Sequence, residues 1–134
     1  MKITIFPSSR LLRNGERNPR EYPYWEELKD LLKNTEHSFT YVDVIVPFDE
    51  LTNMINNSDV VITIDSFIQH YCWYLGKKCI VLWGVSDPLI FGHKENINIL
   101  KDRKYLRPNQ FDIWETQKYN KNVFVLPEKI MEEL

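Results

Sequence analysis

The sequence has no alanine, only four glycines and only two cysteines among its 134 residues. Two cysteines are too few for a disulfide framework. Because Cys72 and Cys79 each lie in an apolar stretch, we expect both to be buried thiols in a reducing, cytoplasmic setting. No apolar run approaches the roughly 18 residues of a membrane-spanning helix, so no membrane span is expected. The N-terminal segment becomes polar too soon for a signal peptide.

Hydrophobic residues make up 43% of the chain and aromatic residues 13%, which excludes an intrinsically disordered protein. A chain of 134 residues with this composition predicts one domain, spanning residues 1–134, around one core. The formal net charge of -2 argues against a general nucleic-acid-binding protein. Basic residues nevertheless cluster in residues 1–20 and 94–107. These clusters indicate a local anion site, although solvated loops often carry the same charge pattern.

Short apolar segments alternate along the chain with segments of helical periodicity. The first kind predicts strands at residues 2–6, 38–46, 60–64 and 79–83, with a short strand at 97–100 inside a loop over 84–107. The second kind predicts helices that begin at Pro23, Pro47, Phe67, Pro108 and Pro127. Residues 60–64 are apolar on both faces, as in a central parallel strand covered by helices. The alternation predicts a single three-layer, Rossmann-like α/β domain with a mainly parallel sheet.

Ligands of parallel α/β sheets bind outside the carboxyl ends of the strands. In this chain that rule selects three segments, residues 7–20, 65–70 and 84–93, which also hold most of the unusual polar residues. We therefore expect one ligand cleft with contributions from all three segments. Its expected lining comprises Ser8, Ser9, Asp65, Ser66, His70 and Gly84.

The segment 65–70 holds the sharpest candidate. Asp65 and Ser66 follow a buried strand and open a helix, whose unpaired first-turn N–H groups attract phosphate or carboxylate. His70 lies one turn further on and can donate to a phosphate oxygen, while Asp65 can accept from a sugar hydroxyl. The alternative is purely structural: Asp65 and Ser66 cap the helix, and His70 belongs to the core.

The segment 7–20 offers two hydroxyls, Ser8 and Ser9, directly after a strand. Hydroxyls and backbone N–H groups can hold a phosphate, which a nearby arginine can neutralise through two hydrogen bonds. The candidate arginines are Arg10, Arg13, Arg17 and Arg20. The segment is not a Walker loop, and the chain has no dinucleotide-binding G-x-G-x-x-G motif.

In the segment 84–93, Gly84 permits a sharp turn after a strand, which suits a ligand-facing loop and a plain turn equally well. Metal-binding motifs are absent, since the three histidines are far apart in sequence and no C-x-x-C pair exists. The chain also lacks a nucleophile elbow. We therefore assign no metal ligand and no catalytic residue.

Four segments within residues 2–100, taken together, resemble a known family. They are I-F-P-S-S, Y-W-E-E-L, S-D-V-V-I-T-I-D-S-F-I-Q-H and K-K-C-I-V-L-W-G-V-S-D-P. Their order is similar to that in the carboxyl half of the heptosyltransferase-like glycosyltransferases of family nine. That half shows a Pro-Ser/Thr-Ser/Thr segment, a W-x-E-L helix, a D-S/T-G-x-x-H motif and a strand ending in F-G-x-T/S-x-P. The family has two Rossmann-like domains in the GT-B arrangement, and the second binds the nucleotide-sugar donor.

The resemblance implies roles for individual residues. By this resemblance, Ser8 and Ser9 contact the donor phosphate. Asp65, Ser66 and His70 hold the sugar and the pyrophosphate of the donor at the helix start.

Two positions depart from the family motifs. Phe67 stands where the family has glycine, which narrows the approach of a phosphate to the helix. A lysine that the family places before the Trp helix has no clear match, and Arg17 is its expected replacement.

The resemblance implies a donor-binding domain whose substrate is a nucleoside-diphosphate sugar, with no further cofactor expected. It does not cover the family's first domain, which carries the acceptor site and the catalytic base. Sugar transfer is therefore expected to need a partner polypeptide or a second copy of the chain. The alternative is a non-catalytic nucleotide-binding or interaction module that kept the fold and lost activity.

Overall fold

The sheet is built around a strand that is buried along its whole length. In the computed structural model, which describes all residues from 1 to 134, every residue of β3 (Val60–Ile64) is buried. Its parallel neighbours are β1 (Lys2–Phe6) and β4 (Cys79–Trp83). The edges are β2 (Ser38–Tyr41) beside β1 and β5 (Ile97–Leu100) beside β4. The strand order is β2-β1-β3-β4-β5 and every pairing is parallel, which confirms the predicted sheet.

Helices cover both faces of this sheet. One face carries α1 (Trp25–Lys33) and α5 (Pro127–Met131), and the other carries α2 (Phe48–Asn56), α3 (Phe67–Tyr74) and α4 (Pro88–Phe91). Neighbouring residues of a strand point to opposite faces, so β3 serves both cores. Ile62 packs in the core with α1 and α5, whereas Val61 packs in the core with α2 and α3. The predicted three-layer α/β fold is therefore confirmed.

The strand predicted over residues 38–46 is shorter than expected. β2 ends at Tyr41, which pairs with Ile5, and the Val42 N–H makes one more bond to the Ile5 carbonyl at 2.9 Å. Beyond that point β1 gives way to Pro7, which has no N–H to donate. The apolar run therefore continues in the sequence after its pairing partner has ended.

The helix predicted to begin at Pro108 does not form. Residues 108–113 make turns instead, followed by a single 3₁₀ turn at Trp114–Thr116. The Asn109 side chain accepts from the Phe111 N–H at 3.1 Å, so it competes with the hydrogen bonds of a helix. The buried Arg107 guanidinium also donates hydrogen bonds to the carbonyls of Asp112 and Ile113, at 3.1 and 2.9 Å.

A short helix, α4, replaces part of the loop predicted over residues 84–107. Asp87 caps it by accepting from the Leu89 N–H at 2.9 Å, and Pro88 occupies the first turn. Aspartate followed by proline is a common helix start. The same dipeptide is also a turn signal, which is why the sequence predicted a loop at this point.

Gly84 follows β4 and lies in the core, where no side chain would fit. A Cβ atom on this residue would lie 2.6 and 2.7 Å from two ring carbons of Phe124 and 3.0 Å from a methyl carbon of Val123. The turn after β4 therefore needs glycine for packing against the C-terminal segment.

Both cysteines are free and buried, as the sequence predicts. Cys72 lies on α3 and Cys79 begins β4, and both belong to the same core. A hydrogen bond with Cys72, together with burial, raises the pKa of the Cys79 thiol. No helix of the chain has both the length and the apolar character that crossing a bilayer requires.

The raised pKa of Cys79 predicts slow thiol chemistry. Since only a thiolate attacks disulfide reagents, and since both sulfurs are buried, we expect no reaction of the native protein with a charged aromatic disulfide. Denatured protein should react completely, which serves as the control. Rapid labelling of either thiol in the native state would contradict the packing described here.

A Gly84→Ala substitution should destabilise the fold by about 1–3 kcal/mol, because the added methyl overlaps Phe124. Urea unfolding measures this loss. Phe124→Leu shortens the overlapping ring, so the two substitutions together should cost less than the sum of their separate effects. Strict additivity would show that the two residues do not press on each other.

Candidate functional site

The loops that follow β1 and β3 border an open cleft of about 380 Å³ together with residues 110–114. Asp65, Ser66 and His70 line it, as the sequence predicts. The other lining residues are Arg20, Phe67, Phe91, Gln110, Phe111, Asp112 and Trp114. The cleft lies where the rule for parallel sheets expects a ligand.

A second cleft, of about 440 Å³, lies directly beside the first. It is lined by Ser8, Ser9, Arg10, Ile45 and Ile68, and it shares Arg20, Ser66 and Phe67 with the first cleft. Two of the three predicted segments, 7–20 and 65–70, therefore meet at one place.

The row of clefts continues into a third, mostly apolar cleft of about 250 Å³. Ser8, Ile45 and Ile68 belong to both the second and the third cleft. We call the row the edge groove. The third cleft forms its apolar end, around Val42–Val46, and the second cleft forms its middle, with hydroxyls and arginines. The first cleft forms the other end, which is lined by both carboxylates and aromatic rings.

The start of α3 lies at the boundary between the first two clefts. Ser66 is the N-cap residue, with extended backbone angles (φ -153°, ψ 177°), but its side chain does not cap the helix. The Ser66 hydroxyl lies 3.3 Å from Oγ1 of Thr63. The predicted helix start is therefore present, without the side-chain cap that the structural alternative for Ser66 required.

Arg20 is the arginine that the fold brings to this boundary. The buried Asn18 side chain accepts from the Arg20 backbone N–H at 3.0 Å and from Arg20 Nε at 3.3 Å. The Arg20 guanidinium also lies 5.1 Å from the centre of the Trp114 ring. Its position is thus fixed by a buried amide on one side and an aromatic ring on the other.

The other three candidate arginines have different positions, and Arg13 lines none of the three clefts. Arg10 lines the second cleft, where its guanidinium forms an exposed ion pair with Glu115 at 3.2 Å. Arg17 also lines none of the three clefts. It pairs with Glu21 at 3.4 Å and lies 4.3 Å from the centre of the Tyr119 ring, so the structure places it outside the edge groove.

Three residues remain from the expected lining. Ser8 and Ser9 line the second cleft, and the buried hydroxyl oxygen of Ser9 has no hydrogen-bond partner. Gly84 lines neither cleft, because it is covered by Phe124. The structure therefore places Gly84 in the core and not beside the residues that line the clefts.

Asp65 is a partly buried carboxylate beside these groups. Burial raises its pKa above the usual value, while the charge of Arg20 and interactions with Ser86, His70 and Gln69 oppose the rise. The buried Gln69 side chain donates to Asp65 Oδ1 at 3.4 Å and to the Phe91 carbonyl at 3.2 Å. These two hydrogen bonds hold the carboxylate in place on its buried side. Arg20 is thus the main group that opposes the rise in the pKa of Asp65.

His70 is paired with a histidine that the sequence analysis did not select. His70 Nδ1 lies 2.7 Å from His93 Nε2, and the His93 ring stacks on Trp73 with a centroid distance of 4.2 Å. Partial burial and His93 lower the pKa of His70, and Asp65 opposes this change. His70 is exposed, so the alternative in which it belongs to the core is wrong.

Much of the first cleft is formed by residues that belong to no recognised motif. Gln110, Phe111, Asp112 and Trp114 come from the segment predicted as a helix. Their only signal was a run of polar and aromatic residues after Pro108. The contact that brings them to the sheet is the Asp87 N–H donating to Gln110 Oε1 at 2.8 Å, which joins residues distant in sequence.

Comparison with known proteins does not identify a family for this chain. No protein-family model matches it, and neither the curated proteins nor the solved structures include a match. The likeness to heptosyltransferase-like glycosyltransferases therefore rests on the short motifs quoted above.

Replacing Arg20 by glutamine should raise the pKa of Asp65 further, since burial would then act with less opposition. A carboxyl carbon titration by NMR measures this pKa. A carboxyl whose pKa is higher in the folded than in the unfolded protein stabilises the folded state at pH values below its pKa in the unfolded chain. This contribution is lost as the pH rises through its pKa in the folded protein. Arg20→Gln should therefore reduce stability most at neutral pH. Arg17→Gln is the matched control, and an equal shift in both variants would contradict the pairing.

Proposed function

We propose that the protein binds a nucleoside-diphosphate sugar along the edge groove, with the diphosphate at Arg20 and Ser66. The observation that carries this proposal is the sharing of one arginine and one helix start by two adjacent clefts. A ligand that is anionic in its middle and uncharged at both ends matches this order. Nucleoside-diphosphate sugars have that order of groups.

Each end of the groove favours a different part of such a ligand. The apolar end around Val42, Ile45 and Ile68 suits a flat nucleobase, whose faces are poorly hydrated. The other end offers Asp65 and Asp112 to sugar hydroxyls. It also offers the rings of Phe111 and Trp114, on which the apolar face of a sugar can pack.

The middle of the groove has the chemistry to hold an anion. Arg20 is already oriented by Asn18, so binding costs little side-chain entropy. Arg10 is the second cation, and its exposed ion pair with Glu115 is of the kind that contributes little to stability. A diphosphate can therefore compete with Glu115 for Arg10. Ser8 and Ser9 add hydroxyl donors on the same side.

We further propose that sugar transfer requires a second polypeptide. The family that the chain resembles uses a separate domain to hold the acceptor and to supply the base. A donor site by itself does not bring an acceptor hydroxyl to the sugar. No residue of the groove is therefore assigned a catalytic role.

A second candidate function is nucleotide binding without transfer, which Phe67 favours. This residue lines both clefts at the helix start, where the resembling family has glycine. Its ring stacks on Tyr71, one turn along α3, with a centroid distance of 5.6 Å. A ring at this point narrows the approach of a diphosphate to the backbone N–H groups of the helix.

Calorimetric titration with ADP, UDP, GDP and their sugar conjugates tests the binding proposal. Arg20→Ala should weaken binding by roughly tenfold to a hundredfold, because a charge-assisted contact is lost. Arg17→Ala is the control, since Arg17 pairs with Glu21 outside the groove, and its affinity should remain near that of the unaltered protein. The proposal fails if no nucleoside diphosphate binds at concentrations on the order of 1 mM.

Phe67→Gly tests whether the ring obstructs the diphosphate. If the ring obstructs the diphosphate, this variant should bind more tightly than the unaltered protein. An unchanged affinity would show that Phe67 lies beside the bound ligand without obstructing it. The requirement for a second polypeptide fails separately if the purified chain alone transfers sugar at an ordinary enzymatic rate.

A further inference from the structure

The face formed by α2, α3 and the loop before α2 exposes large apolar side chains. We call it the α2–α3 face. The exposed fractions are 69% for Val44, 102% for Ile45, 60% for Phe48, 57% for Phe67 and 74% for Tyr74. Single exposed apolar residues are common on protein surfaces, but contiguous groups of them mark interaction sites. Whether these residues are contiguous therefore decides their meaning.

Direct ring contacts and shared clefts join these side chains into one patch. Tyr71 is the centre, with ring centroids 5.0 Å from Phe48, 5.6 Å from Phe67 and 6.2 Å from Tyr74. Ile45 lines one cleft together with Phe67, and another together with Val44. Aromatic side chains in such clusters dominate the binding energy of protein interfaces.

The charge of the α2–α3 face is of one sign. No lysine or arginine occurs between Lys33 and Lys77, which is the stretch that contains both helices. Asp43, Asp49 and Glu50 are exposed beside the apolar side chains. The cations near this face belong to other segments. Arg10 and Arg20 line the edge groove at the Phe67 end, Lys2 lines a cleft with Glu50, and Lys77 donates to the Asn56 carbonyl. The exposed charges of the face itself, Asp43, Asp49 and Glu50, form an acidic border, of which Asp43 also lines the third cleft.

We infer that the α2–α3 face binds a partner polypeptide whose apolar surface is bordered by lysine and arginine. Such a border complements Asp43, Asp49 and Glu50, and complementary charge selects partners and speeds their encounter. A two-fold contact between copies of this chain would place the acidic border against itself. The same border repels nucleic acid and anionic membranes.

A partner on this face would lie at the entrance of the edge groove, since Ile45 and Phe67 belong to both surfaces. The inference nevertheless stands without the proposed ligand. Phe48, Tyr71 and Tyr74 line none of the three clefts of the groove. Substituting Phe48 and Tyr74 should therefore leave nucleotide titrations unchanged, which separates a failure of this inference from a failure of the proposed function.

Two synthetic peptides serve as probes. One is an amphipathic helix of leucine and lysine, and the other is its charge-reversed twin of leucine and glutamate. Fluorescence anisotropy at an ionic strength of about 0.15 M measures binding, because weak long-range attraction is then screened. The face variant is Phe48→Ser with Tyr74→Ser. The matched control is Leu89→Ser with Leu126→Ser, two exposed apolar residues outside the patch.

The lysine peptide should bind, and the glutamate peptide should not. The face variant should lose at least about tenfold in affinity, as expected for central aromatic residues of an interface, while the control changes little. Circular dichroism confirms that all variants fold. The inference is overturned if both peptides bind alike or if the face variant keeps its affinity. It is also overturned if sedimentation shows a dimer of the unaltered protein that the face variant abolishes, since the occupant is then a second copy.

Discussion

The burial of β3 between two parallel neighbours is the constraint on which the rest of the structure depends. α1 and α5 cover one face of this strand, and α2 and α3 cover the other. All its residues are therefore buried, and the polar residues Asp65 and Ser66 follow directly at its carboxyl end. The register brings Thr63 opposite Phe6, so the loops after β1 and β3 begin at almost the same level. The pairing of the two strands thereby brings Ser8 and Ser66 to the same cleft, and no contact between their side chains is needed for this.

The sequence was a good guide wherever one short segment determined the outcome. The segments VVITI and CIVLW predicted buried parallel strands, which the structure contains. Pro23 and Pro47 predicted helix starts, and a helix begins within two residues of each proline. It failed where the burial of a side chain or a distant contact decided. Among the four candidate arginines, Arg20 lies where the first two clefts meet because Asn18, whose burial no motif reveals, holds it there. Gly84 looked like a ligand-facing turn because nothing in its neighbourhood reveals that Phe124 packs against it.

Charge is sorted along the molecule in a way that composition alone hides. A nearly neutral total of -2 combines a stretch without lysine or arginine, which includes α2 and α3, with arginines gathered after β1. At the boundary, Arg20 lies close enough to Asp65 to oppose the rise in the pKa of this carboxyl that burial causes. Basic and acidic side chains are therefore neighbours where the edge groove meets the α2–α3 face.

The wall of the groove at residues 107–116 is fastened by side chains instead of by a helix or a strand. The Arg107 N–H donates to the Val85 carbonyl at 3.0 Å, and its guanidinium lies 4.3 Å from the centre of the Trp114 ring. The Trp114 ring also lies near Arg20. Gln110 also accepts from the Asp87 N–H at 2.8 Å and donates to the Val85 carbonyl at 2.9 Å, so side-chain contacts tie this wall to the residues that follow β4. A substitution at one of these side chains therefore reshapes this end of the groove and leaves the strand pairing of the sheet intact.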